Sequence, residues 1–261
     1  MRMNREDAVS SASDRKDITV GKKETMALFP LRSHPLGVIS LDNGAACLMA
    51  DKLLDCQPYH IHGGSVNWED STVRSWLNSY PAEANDAGID YRGKGFLKMD
   101  FSSAQQQAII KTQVENRPNG HYNAECGDAT EVYVFLLSND EVFSSETAAR
   151  NGFYAASGHD DPSKRFRSTM YAKCRGAWWS SVNGYMGNSF WFMRTNGFNQ
   201  ESITCICDFG YIYQRGTIST CEDAGLLPAL WIDLELAEYG AAGISWKKGR
   251  EKNCSDRVFS M

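Results

Sequence analysis

From Phe190 the chain breaks into short runs rich in β-branched and aromatic residues, and this stretch constrains the fold more than any other. The runs Phe190–Arg194, Ile203–Cys207, Tyr211–Gln214 and Leu227–Leu234 are separated by Asn196-Gly197, Asp208-Phe209-Gly210 and Gly216, residues that let a backbone reverse tightly. That pattern predicts antiparallel strands joined by loops long enough to carry function. The segments before it read mainly as helices. Without strand–helix–strand alternation the expected class is α+β, with helices in the first half and short antiparallel strands with long loops in the second.

Upstream, the apolar runs Leu36–Ser40 and Ala45–Ala50 flank Asn43-Gly44, a pair that tolerates positive φ and so predicts a hairpin. Asp70 is placed to cap a helix carrying Val73, Trp76, Leu77 and Tyr80 on one face. Ser103 with Gln106, and Ser138 with Glu141, have the spacing of capping boxes, and Glu131–Leu137 reads as a buried strand. Residues 1–24 are polar and aperiodic and read as a flexible tail, 25–234 as one domain, and 235–261 as a peripheral C-terminal segment.

Composition narrows the function classes. With 261 residues and 42% hydrophobic content the chain can build a sizeable core. A net charge of −5 lacks the clustered Lys and Arg that phosphate neutralisation needs, which argues against a nucleic-acid partner. No apolar run approaches the roughly 20 residues of a membrane span, and the opening MRMNREDAVSSASDRKD has no secretory h-region, so the expectation is a soluble protein made in the cytoplasm. Display on a cell or phage surface would need a route the sequence does not show. The eight cysteines lack framework spacing and read as reduced, mostly buried thiols.

Chemistry-bearing residues concentrate in three predicted loops. Asn183, Tyr185 and Asn188 lie on the first; Phe198, Asn199, Gln200 and Glu201 on the second; Asp208, Phe209, Tyr211, Tyr213 and Arg215 on and beyond the third. Aromatic faces give contact area at small entropic cost and amides adapt their hydrogen bonds, a composition suited to a protein or carbohydrate ligand. The competing reading is that Tyr211 and Tyr213 merely alternate across a sheet. Trp178-Trp179 and Trp191-Phe192 read as core. His60 and His62 could face a metal together with His121 or Cys56 as a third ligand but read as a solvated loop pair, and Glu69-Asp70 and Asp160-Asp161 read as solvated turn or cap residues, so no metal or cofactor is expected. No P-loop, dinucleotide or nucleophile-elbow motif is present.

The segments ADKLLDCQPY, WEDSTVRSWLN, VFLLSNDEVF, YAKCRGAWW, SFWFMRTNG and GLLPALWIDL, in this order over roughly residues 36–234, resemble a bacterial domain-of-unknown-function family. Its members carry STLRSWLN, FLLS.DEV and WWLRSPG…GVRPALWLDL patterns. The closing pattern resembles the end of the formylglycine-generating-enzyme branch of the C-type lectin fold, where a Trp- and Arg-bearing strand helps bracket the ligand-facing loops. The resemblance implies a single C-type-lectin-like domain that binds a ligand without bond chemistry. It also implies a relation to the variable target proteins of diversity-generating retroelements. Its enzymatic alternative is a copper oxidase using Cys205 and Cys207. Two departures stand out: Leu227 replaces a family Arg, and Thr195-Asn196 replaces Ser-Pro, which is expected to loosen the loop that follows.

Overall fold

The Asn43-Gly44 turn forms as the sequence predicts, with φ of 42° and 84° at its two central residues. The computed structural model describes residues 25–31, 34–143, 145–154 and 160–237; the predicted tail 1–24 and most of the segment 235–261 lie outside them. Strands β1 (Thr25–Leu31), β2 (His34–Asp42) and β3 (Ala45–Ala50) open the fold, followed by the two-residue β4 (Asp55–Cys56). Helices α1 (Thr72–Asn78), α2 (Phe96–Asp100) and α3 (Ser103–Ala108) come next. Then follow β5 (Ile109–Ile110), β6 (Thr112–Val114), β7 (Thr130–Val132) and β8 (Val134–Phe135).

Three further helices, α4 (Asn139–Phe143), α5 (Ser145–Arg150) and α6 (Met170–Cys174), precede the strand-rich close. That close comprises β9 (Trp191–Asn196), β10 (Ser202–Ile206), β11 (Ile212–Ile218), β12 (Gly225–Leu226) and β13 (Ala229–Asp233). The fold mixes helices with sheets paired antiparallel except where β12 runs parallel to β9, as the α+β class allows. The expected division into a helical half and a strand half does not hold, because β1–β4 come first and α4–α6 lie late. The late helices are too short for apolar periodicity to reveal. Their ends are set by side chains instead, Ser138 with Glu141 at α4 and Thr169 at α6.

Two sheets organise the core. The first runs β1-β2-β3-β13-β5, with β8 also on β13, and the second runs β11-β10-β9-β12-β4. The pairing of β3 with β13, from Ala229↔Met49 to Asp233↔Ala45, brings the two ends of the domain together. One hydrophobic cluster, in which Leu36, Leu48, Trp68, Leu77, Phe135, Trp191 and Ile232 take part, packs the sheets against α1. Leu227 is fully buried there in the link between β12 and β13.

Local caps are displaced by one residue from the expected ones. Ser71 rather than Asp70 caps α1, and Ser102 with Gln105 forms the capping box of α3. Asn78 explains why Glu131–Leu137 is two strands and not one. Its Oδ1 accepts from Tyr133 N and Val134 N while its Nδ2 donates to Val134 O, so a side chain replaces a strand partner at the break.

Candidate functional site

The site is built on a rigid frame. Every residue of β9 and of β10 is buried, whereas β11, at the edge of its sheet, buries only Ile212 and leaves Tyr213, Arg215 and Ile218 exposed. Arg194 holds β9 from within. Its Nη1 donates to Leu136 O at 2.8 Å and to Glu141 Oε2 at 2.5 Å, and its Nη2 to Glu115 O at 3.0 Å. Tyr59 Oη donates to the Arg194 carbonyl at 3.0 Å, and the Tyr59 ring stands edge-on to Phe192. Trp191 Nε1 donates to Lys164 O, which accounts for a fully buried indole.

The predicted contact residues fall into two groups at opposite ends of β10. At roughly 3.3 Å per residue the five residues of that strand separate its ends by about 15 Å. At the first end, the loop after β9 carries Phe198, Asn199, Gln200 and Glu201. Phe198 is 49% exposed, with the Arg215 guanidinium 5.0 Å over its ring. Asn199 is spent on its own turn, since its Oδ1 accepts from Glu201 N and Ser202 Oγ. Thr195 and Asn196 are buried and pinned, with Thr195 Oγ1 accepting from Asn139 N and Asn196 Nδ2 donating to Val66 O. Tertiary partners thus hold the two residues that lead into the loop.

At the second end, the β10–β11 turn meets the 183–189 loop. Phe209 stands edge-on to Tyr185 and stacks on Tyr211, both at 6.2 Å between ring centroids. Tyr185 Oη donates to Asp160 Oδ2 at 3.0 Å, and Arg165, paired with Asp160, lies 5.0 Å over the Tyr185 ring. Asn188 and Asp208 are buried, and Asn188 Nδ2 donates to Asp208 O, so this pair closes the turn and does not face outward. Asn183 is exposed on its loop, as is Tyr213 on β11.

Sequence reasoning missed several neighbours. Tyr122, from the loop between β6 and β7, stands against Phe198 with ring centroids 5.9 Å apart, and His121 packs on the Tyr122 ring. Nothing in the sequence links that loop to residue 198. Trp178 and Trp179 are not core as expected but 39% and 45% exposed. Trp178 stacks on Phe190 at 4.6 Å, and the Lys173 ammonium covers Trp179. The loop they begin also exposes Val182 and Met186.

Other expectations for reactive groups also change. His60 is buried, not solvated: its Nδ1 accepts from Thr72 N at the start of α1, and burial lowers its pKa. Asp161 is buried in an ion pair with Lys164. Among the described residues no three His, Cys, Asp or Glu side chains converge to hold a metal ion. Among the described residues six cysteines are free, while Cys174 is disulfide-bonded, which departs from the expectation of reduced thiols. Burial pushes Cys205 up to about 12 and also raises Cys207, whose thiol donates to Tyr211 O. A cleft of about 380 Å³ between the first sheet and α4–α5 includes Cys47, Glu141, Arg150 and Trp231 in its lining but none of the predicted contact residues. No helix among the described residues is long and apolar enough to cross a membrane.

No curated protein and no solved structure matches the chain. The model of one family, described as Domain of unknown function (DUF6273), matches residues 43–234, the stretch from the Asn43-Gly44 turn to the end of β13. The chain that builds this frame and its loops therefore belongs to the DUF6273 domain family.

Proposed function

We propose that the protein is a non-catalytic ligand-binding domain with a C-type-lectin-like scaffold, which captures a protein or carbohydrate through the loops at the two ends of β10. The observation that carries this reading is the contrast between frame and surface: β9 and β10 are buried throughout, while Phe198, Tyr213 and Arg215 project outward from them. Side chains held this way lose little conformational freedom on binding. The scaffold reading is supported by the closure of β3 on β13 and by the position of β9, the Trp- and Arg-bearing strand, beside β12. The loops at 196–202 and 208–211 lie between those two strands in sequence, as the family resemblance implies.

The reading is tested on an array of plant and bacterial polysaccharide fragments together with a panel of purified cell-surface proteins. Wild type is compared with Phe198→Ala and Tyr213→Ala, both exposed enough to leave the fold intact. Binding that each substitution weakens supports the proposal. Copper-dependent oxidation of a thiol peptide that disappears in Cys205→Ala would replace it with the oxidase. If the loops are diversified by a retroelement, the adjoining DNA should hold a near-copy of the codons for residues 178–231, differing at adenines.

A further inference from the structure

The two strands flanking β10 both bulge against it at the same place. Where β10 advances from Ile203 to Cys205, β11 covers Thr217 to Tyr213 and β9 covers Asn196 to Phe192, so each neighbour carries two extra residues. Bulges that re-aim a side chain are concentrated beside functional sites. One buried residue, Asn119, holds both: its Nδ2 donates to Asn196 O and Gly197 O at 2.9 Å and to Gln214 O at 3.2 Å. Its Oδ1 accepts from His121 N and Tyr122 N, which places Tyr122 against Phe198. Gly216 completes the bulge with φ of +78°, and a Cβ there would meet Ile203 O at 2.5 Å.

The residue this arrangement turns outward is Arg215. It is exposed, its carbonyl accepts from Phe198 N at 2.9 Å, and its guanidinium rests over the Phe198 ring. Arg165, Arg175 and Arg194 each pair with a carboxylate, whereas the Arg215 guanidinium forms no ion pair or hydrogen bond among the described residues. An arginine stacked on an aromatic face has its donor fork oriented in advance, and that fork matches a carboxylate.

We propose that Phe198, Tyr122 and Arg215 form a subsite for an acidic sugar, a uronic acid whose ring lies against the exposed aromatic surface and whose carboxylate takes the Arg215 fork. The platform offers exposed aromatic surface from two rings and one cation. The neighbouring main-chain N–H groups of Gly197 and Phe198 are already used, by Ser202 O and Arg215 O, so an extended peptide finds no backbone partner there. This inference rests on the reading of these loops as a ligand-binding surface.

The test is calorimetric titration with galacturonic acid and glucuronic acid oligomers and with their neutral galactose and glucose counterparts. The acidic oligomers should bind at least about tenfold more tightly, as expected for a charge-assisted bidentate pair. Arg215→Gln should abolish that preference while leaving the circular dichroism spectrum unchanged, and Gly216→Ala should weaken it by misplacing the bulge. Equal binding of neutral and acidic oligomers, or a preference that survives Arg215→Gln, overturns the acidic subsite but leaves the ligand-binding reading standing. Displacement of the sugar by equimolar acetate or an acidic peptide overturns the sugar assignment. Binding of no oligomer overturns the subsite, and the array then judges the wider reading by itself.

Discussion

Replacing Arg194 with methionine removes a cation that the fold surrounds on several sides. The side chain is 3% exposed and donates to two backbone carbonyls and one carboxylate. Truncating one partner of a buried ion pair costs about 3–5 kcal/mol, because the other charge is left buried without compensation. Two features lower the figure here. Arg194 Nε has no acceptor among the described residues, so the native pair is already incompletely satisfied, and methionine is flexible enough to refill much of the volume. The expected loss is about 3 kcal/mol. With a urea m-value of about 2.5 kcal/mol/M, the unfolding midpoint should fall by about 1.2 M, read by tryptophan fluorescence and circular dichroism together. The double variant Arg194→Met/Glu141→Gln removes the stranded charge while keeping an acceptor for Ser138 N, and should regain part of the loss. A loss below about 1 kcal/mol in the single variant, or a double variant less stable than the single, would refute the claim that this ion pair holds β9 to α4.

Asn78→Ala strips three amide hydrogen bonds at the break between β7 and β8 and leaves Tyr133 N and Val134 N without their acceptor. It should cost about 2–4 kcal/mol in a thermal melt, with Asn78→Asp intermediate because it keeps the acceptor; equal losses for the two would show that the donor alone matters. Burial pushes the Cys56 and Cys205 thiols up to about 12 from an ordinary 9.0. The folded state therefore holds these protons more tightly than the unfolded chain does. Their contribution is whole below about pH 9 and is lost as pH rises toward 12. In reductant, the melting temperature of Cys205→Ala should fall less steeply between pH 8 and 10.5 than that of wild type, and parallel slopes would show that Cys205 is not buried as described.

The sequence alone determined the features written within a few residues of one another. Asn43-Gly44 needs no partner to turn the β2–β3 hairpin, and Ser138 with Glu141 caps α4 by local geometry. The runs of apolar and β-branched residues after Phe190 marked β9, β10 and β13 to within a few positions, because burial on both faces leaves little room for polar side chains. Tertiary structure decided what depends on residues far apart in the chain. Trp191 is core and Trp178 is surface although both lie in similar aromatic dipeptides, since only the first faces a second layer. Thr195-Asn196 is rigid because Asn139 N and Val66 O happen to meet it, and Asp161 and His60 are buried because Lys164 and the first turn of α1 receive them. The predicted contact residues were found as one stretch of sequence, but antiparallel pairing sends successive loops to opposite ends of β10. Asn119, distant in sequence, then joins Tyr122 to Phe198 and Arg215, a junction of three segments that no local pattern encodes.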